Sequence, residues 1–307
     1  AGDDSVGIMV TGSNGTPSYA ALDITKLDGG AGTDTLQFGN IGSQGSTELT
    51  LTHGGVTNFE NISGTHGADI IRGDAGNNVL SGDGGTDNIY GGDGDDTLWA
   101  GQSTHSGWAS TDTTDDNLYG GAGDDILRGS HGDNIIDGGA GRDQIINTGN
   151  GSDTIVIRSG SGGSTQTTAD FIHEWSDGND KFGLDDGLQY SDLTIAQGTS
   201  AGAGTDTSGY ENHTVISYGS QYLAVISGVS ASSVDYFDFT SMATGNQTLS
   251  GTSGNDVLIG AAGIDTVTSN TGSDVIITNG GDDVITVDGT GNKTIDGGAG
   301  TDSLTIS

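Results

Sequence analysis

The 307-residue chain contains no cysteine, so neither a disulfide frame nor a thiolate metal site is open to it. Its single proline, Pro17, rules out an extended proline-rich stalk. Its 59 glycines follow no three-residue period, which rules out collagen. Only seven lysines and arginines stand against 42 acidic residues, a formal charge of -35. No basic patch exists to meet phosphates, which argues against nucleic acid as a partner. No apolar stretch reaches the roughly 18 residues of a membrane span, and the opening AGDDSVGIMV lacks the charged-then-apolar start of a secretory signal. Glutamate is scarce as well: Glu48, Glu60, Glu174 and Glu211 are the only four, so nearly every acid is the short carboxylate that suits a tight turn. Familiar catalytic patterns are missing too, with no GxSxG elbow, no HExxH pair and no cysteine nucleophile.

What the chain does have is a nine-residue beat, clearest in GGDGDDTLW at 91 to 99 and GGAGDDILR at 120 to 128. Glycine takes the first, usually the second, and the fourth place; aspartate takes the sixth and a large aliphatic the eighth. The beat reads as a six-residue turn followed by a three-residue strand. Glycines tolerate positive φ and let backbone carbonyls converge on a cation, and the aspartate closes the cage. Calcium takes about six to eight oxygen ligands, a demand that carbonyls supplemented by short carboxylates from neighbouring turns satisfy. The eighth-place aliphatic then points inward. Two such units make a coil of about eighteen residues, and coils stack at about 4.8 Å, the spacing of paired strands. The expected fold is all-β, a parallel β-roll in two arrays separated by a β-rich capping module.

The first array runs through GTHGADIIR, GDAGNNVLS, GDGGTDNIY and GGDGDDTLW from 64 to 99, resumes at TDTTDDNLY from 111, and closes with TGNGSDTIV at 156. The second runs from GTSGNDVLI at 251 through GAAGIDTVT, SNTGSDVII and TNGGDDVIT to DGTGNKTID and GGAGTDSLT, and an isolated copy, GGAGTDTLQ, lies at 29 to 37. The chain resembles the RTX, or haemolysin-type calcium-binding, repeat proteins exported by type I secretion, and roughly half of it carries the motif. Turn by turn, the resemblance implies calcium carboxylates at Asp34, at Asp69, Asp87, Asp96, Asp116, Asp125, Asp143 and Asp153, and at Asp256, Asp265, Asp274, Asp283 and Asp302. Asn78 and Asn134 put a neutral oxygen donor in the sixth place and are expected to give weaker sites. Lys293 puts an ammonium there; a fixed cation repels calcium and stands in for it, so that turn is expected to be metal-free. Occupancy of most stacked turn pairs would amount to about four to ten ions.

Four segments follow from the beat: a β-rich lead-in with the isolated repeat over 1–63, a first roll over 64–156, a β-rich capping module over 157–248, and a second, truncated roll over 249–307. Both ends of the chain read as cuts within a longer protein. In the lead-in, Val56, Phe59 and Ile62 are the expected plug of the roll. In the module, DLTIA, HTVISY and YLAVI read as strands, VSASSVDYFDF as holding one short helix, and Phe171, Trp175, Phe182, Tyr236 and Phe239 as the core. An insertion at 100–110 carries His105 and Trp108, a place where a sugar or partner could be gripped or a ring folded back over the roll. His66 and His131 occupy third places and read as solvated; His53, His173 and His213 show no metal-ligand spacing. The pairs Asp95–Asp96, Asp124–Asp125 and Asp282–Asp283 invite a glycosidase reading, but the repeat phase explains them, the fifth-place member acting through its backbone or a water.

These readings converge on a calcium-dependent, non-enzymatic structural protein, secreted and at the cell surface. The expected role is that of a segment of a surface layer or large adhesin that folds on binding calcium, with self-association into a lattice or filament and cell-surface polysaccharide as candidate further interactions. A second array after the cap favours this over a toxin or protease, whose array normally lies near the carboxyl end. The alternatives are a calcium-binding accessory module of a secreted polysaccharide-active enzyme, lipase or protease, or a glycan-binding module.

Overall fold

The eighth-place aliphatics decide the architecture. In a computed structural model, which describes residues 2–3, 5–8, 27–28, 31–38, 47–50, 56–57, 59–101, 112–146, 151–199 and 212–307, Leu36, Ile62, Leu80, Leu98, Leu127, Ile145 and Ile172 follow one another in register down one parallel sheet. Ile71, Ile89, Leu118, Ile136, Ile155, Phe182 and Phe239 do the same down a second. All are buried. Each coil crosses from one sheet to the other, so like turns stack and the two columns interlock into one core. Strands alternate sides with a period of two, so one inward aliphatic per short strand suffices to define the buried face. Among the described residues the regular structure is all-β, broken only by short 3-10 turns, and it forms the parallel β-roll.

Both ladders run on past residue 157. The strand Asp170–His173 pairs with Gln144–Ile146, and Lys181–Leu184 pairs with Thr154–Ile157, all parallel. The strands expected near 192, 213 and 222 are Leu193–Gln197, Thr214–Tyr218 and Gln221–Ile226. The last is parallel to the roll strand before it, while the other two turn antiparallel and so end the coiling on that side. The short helix expected within 229–239 is replaced by two 3-10 turns, Ala231–Ser233 and Tyr236–Asp238, and a strand, Phe239–Ser241. Asp235 accepts from the Phe237 N–H, and Asp238 from the Asp235 N–H; these local bonds close a tight turn in place of a helical one. Trp175, Phe182 and Phe239 are buried, with Phe171 and Tyr236 half-buried. Trp175 stacks on Phe182 at 5.6 Å and Tyr190 meets Phe239 edge-on at 5.0 Å, closing the column with rings. Phe59 and Ile62 are buried at the other end, while Val56 lies in a described strand whose side chains lie outside the description.

The second roll repeats the plan with its own core. Leu249, Val267, Ile285 and Leu304 align in one sheet, and Leu258, Ile276 and Ile295 in the other. Ile259, in its first full turn, belongs to the same buried cluster as Leu188 and Phe239 of the preceding segment. Leu304 is exposed because the outermost described rung has no coil above it.

Candidate metal centre

The sixth-place side chains form two columns, one above each row of turns. Their carboxylates reach back one coil. Asp87 Oδ1 accepts from the Asp69 N–H at 2.8 Å, Asp96 from Asn78 at 2.7 Å, Asp125 from Asp96 at 2.7 Å, Asp143 from Asp125 at 2.9 Å, and Asp153 from Asn134 at 2.7 Å. In the second roll Asp274 accepts from Asp256, Asp283 from Asp265, and Asp302 from Asp283. Between successive coils of the repeats these bonds span 18 or 19 residues, whereas Asp87 to Asp116 and Asp96 to Asp125 each span 29, at 2.8 and 2.7 Å. The column therefore continues across the insertion. Residues 102–110 of it, with His105 and Trp108, lie outside the described residues.

The fifth places form a second ladder of opposite sense. Asp95 Oδ1 accepts from the Asp124 N–H of the following coil at 2.9 Å, Asp124 from Arg142 at 2.9 Å, and Asp282 from Thr301 at 2.8 Å. A paired aspartate thus reaches forward with its first carboxylate and back with its second. The expectation that the fifth place acts through backbone or water is corrected here: the side chain itself bridges the coils, accepting from the N–H one rung along.

The inner carboxylate oxygens are where a cation is called for. Asp87, Asp96, Asp125, Asp143 and Asp283 each bury an Oδ2 with no hydrogen-bond partner, an arrangement costly for an anion unless a cation completes it. A Cβ added to Gly82, Gly91 or Gly120 would collide with the sixth-place Oδ2 of its own turn and with the first-place carbonyl of the next coil. Glycine is therefore required where these oxygens converge. Gly123 adds the backbone reason: its φ is +133°, and a side chain there would strike the Gly94 carbonyl. Among the described residues no three carboxylate or imidazole side chains gather at one point. Most turns offer one sixth-place carboxylate, so backbone carbonyls would have to supply the remaining donors. An all-oxygen set of this kind fits a hard divalent ion such as calcium.

Electrostatics agree. Burial pushes the Asp87 carboxyl up to about 9, with Asp116, Asp69 and Asp112 adding to it against the lowering bond from Asp69. Burial likewise lifts Asp96, Asp116 and Asp143 to about 7 and Asp125 to about 6. Without a cation these turns resist ionisation; with one, the carboxylates have a partner.

Lys293 supplies a cation from the chain. Its Nζ donates to the carbonyls of Asn270 and Gly272, both at 2.8 Å, and to Asp274 Oδ2 at 2.6 Å. A lysine offers no acceptor, so the ladder is interrupted there and the Asp274 N–H turns to the Asn292 carbonyl instead. Asn134 does something similar with an amide. Its nitrogen donates to the Ser130 and Gly132 carbonyls, the same two places of the turn, while its oxygen accepts from Asp116. In Asn78 the oxygen accepts from the Asp74 N–H within its own turn.

Asp34, Asp69, Asp87, Asp96, Asp116, Asp125, Asp143, Asp153, Asp265, Asp274 and Asp283 are buried, as are Asn78 and Asn134; Asp256 is half-buried and Asp302 exposed, both toward the ends of the second roll. Four members of the columns escaped the sequence reading. Glu60 Oε2 accepts from the Asp34 N–H at 2.7 Å, Asp170 and Asp180 accept from Asp143 and Asp153, and the Gln247 N–H donates to Asp265. Each stands two residues before an aliphatic or aromatic of the inward columns or of the second roll, a signal weakened because no one of these turns carries glycine at both the first and the fourth place. His66 is not simply solvated, since its Nδ1 lies 2.7 Å from Asp83 Oδ2 on the next coil.

The model of the RTX calcium-binding nonapeptide repeat matches the chain in four copies, at residues 61–102, 110–145, 243–268 and 259–289. The third copy begins before the second array's expected start at 249 and so takes in Gln247. No curated protein matches the chain.

Proposed function

Because the chain is a protein of RTX calcium-binding repeats, with calcium ions as its cofactor, we propose that it is a calcium-folded, non-enzymatic structural segment of a secreted surface layer or large adhesin. The observation that supports this reading is that sixth-place carboxylates in both rolls bond across coils while several keep a buried oxygen without a partner. Neutralising the turns and stacking the coils are then one event. Low calcium inside a cell leaves the acidic chain unfolded for export, and millimolar calcium outside assembles it. Engagement of the aspartate pairs in the two ladders supports a structural role for them. No helix among the described residues is long and apolar enough to cross a membrane.

The test is a calcium titration followed by circular dichroism and light scattering, with magnesium as control. Strand signal rising cooperatively with calcium alone, followed by large ordered particles, is the expected result. Folding that persists in chelator defeats the calcium argument, and folding into a strictly monomeric product defeats the lattice.

A further inference from the structure

The ninth-place side chains of the second sheet stand in a column on its outer face, with Arg72, Tyr90, Tyr119 and Asp137 in register. The Arg72 guanidinium lies over the Tyr90 ring at 4.2 Å, and Tyr90 stacks on Tyr119 with centroids 4.9 Å apart and planes 7° from parallel. Cation and rings therefore form a continuous stack that ends at Tyr119. One face of Tyr119 is covered by Tyr90, and the next rung offers only the short side chain of Asp137. The result is a cleft of about 340 Å³ lined by Tyr119, Asp137, Arg158, Gly121, Gly139 and Ser161. That volume lies at the lower end of the roughly 300–1,000 Å³ typical of small-molecule sites.

Opposite the ring, Arg158 donates to Asp137 and, at 3.1 Å, to Asp185 Oδ2. Asp137 is 9% exposed, so its carboxylate is a fixed floor to the cleft. One guanidinium between two carboxylates leaves the site with net negative charge, on a chain that already carries -35. An anionic ligand is repelled. A purely apolar one would leave the polar wall without solvent.

We propose that this cleft binds an uncharged pyranose unit of a polysaccharide. The flat C–H face of the sugar continues the stack on Tyr119, its hydroxyls donate to Asp137 and accept from Arg158, and the glycines at 121 and 139 let the ring approach the sheet. The cleft requires a folded first roll but no lattice, so the proposal goes beyond the structural role and stands apart from it.

The experiment is calorimetric titration of the calcium-loaded full chain with neutral hexasaccharides of glucose, mannose, galactose and N-acetylglucosamine, with hexagalacturonate as the anionic probe. Circular dichroism in calcium first establishes that each variant is folded. Binding of at least one neutral hexasaccharide is expected, weakened at least about tenfold in Tyr119→Ala and held within about threefold in Tyr119→Phe, which keeps the ring. Ser161→Trp, which fills the cleft from its rim without touching the core, is expected to abolish binding and serves if Tyr119→Ala fails to fold. Four results overturn the proposal: no neutral hexasaccharide binds, binding is undiminished in Tyr119→Ala or Ser161→Trp, the uronate binds more tightly, or Trp108→Ala abolishes binding while Tyr119→Ala does not.

Discussion

Replacing Asp125 by asparagine separates the two tasks that one carboxylate performs. Oδ1 of Asp125 accepts the Asp96 N–H at 2.7 Å, a bond that an asparagine oxygen reproduces, while Oδ2 is buried without a partner. The substitution thus keeps the ladder and removes the charge. In metal-free buffer at pH 8 that charge is a burden, since burial lifts the Asp125 carboxyl to about 6 from its usual 3.8. A rise of about two units corresponds to about 3 kcal/mol, and screening by water around the turn reduces the effective cost to about 1–2 kcal/mol. Asp125→Asn should therefore stabilise the chelated roll by that amount. With calcium in excess the sign reverses: loss of a charged ligand that weakens an ion tenfold to a hundredfold costs about 1.4–2.8 kcal/mol. The assay is a pair of circular dichroism titrations, with trimethylamine oxide driving folding in chelator and urea driving unfolding in calcium. A lower osmolyte midpoint together with a lower urea midpoint is the expected pair. A shift in the same sense under both conditions, or in neither, refutes the argument that the turn aspartates oppose folding until calcium arrives.

The same pKa values fix the pH dependence. Carboxyls raised to between about 6 and 9 favour the metal-free fold when protonated, so strand content in chelator should be greatest in acid and fall as pH rises through that window. Apparent calcium affinity should rise over the same interval because protons compete for the oxygens, and calcium titrations at pH 6, 7.5 and 9 check both. Lys293→Asp should raise the calcium stoichiometry, measured by equilibrium dialysis, since it removes the ammonium from the carbonyls of Asn270 and Gly272 and gives the turn a carboxylate; an unchanged count disproves the substitution of amine for metal. Gly123→Ala should raise the calcium midpoint and lower the urea midpoint, because a side chain at φ +133° meets the Gly94 carbonyl. Its cost should exceed the roughly 1 kcal/mol of a glycine-to-alanine change at a strained turn.

The roll was legible in the sequence because its code is local. Nine residues specify a turn, a ligand and an inward side chain, and the phase survives from one coil to the next. Glu60, Asp170 and Asp180 are less legible because their turns keep the sixth and eighth places but carry at most one of the first- and fourth-place glycines that mark the full repeat. The forward ladder through Asp95 and Asp124 was hidden for another reason. Which N–H a carboxylate meets depends on the rise between coils, a property of the stack and not of any one repeat. The Tyr119 cleft lay furthest from view, because Tyr90 and Tyr119 are separated by an insertion, and only the paired strands show that they stand on successive rungs.

That insertion also shows what makes the roll one cooperative object. Each short strand contributes essentially one inward aliphatic, so the core is a narrow double column and no single coil has a second layer to lean on. The polar columns couple the coils instead, since each sixth-place carboxylate belongs to its own turn through its cradle and to the preceding turn through its bond. Removing one ion therefore loosens two coils. The eleven extra residues between Asp87 and Asp116, a separation of 29 in place of 18, are tolerated because both ends of that bond stay in place. The interruption at Lys293 is tolerated because a cation remains where the carbonyls converge. Length can vary between rungs as long as the rung itself is intact, whereas a substitution within a rung is felt on both sides of it. Calcium binding should accordingly be steepest in the first roll, where Asp96, Asp125, Asp143 and Asp170 run without a lysine. Separate titrations followed through Trp175 at its closed end and through a tryptophan introduced at exposed Leu304 of the second roll should show the steeper transition at Trp175; equal steepness at the two probes would mean that the ladder does not carry the coupling.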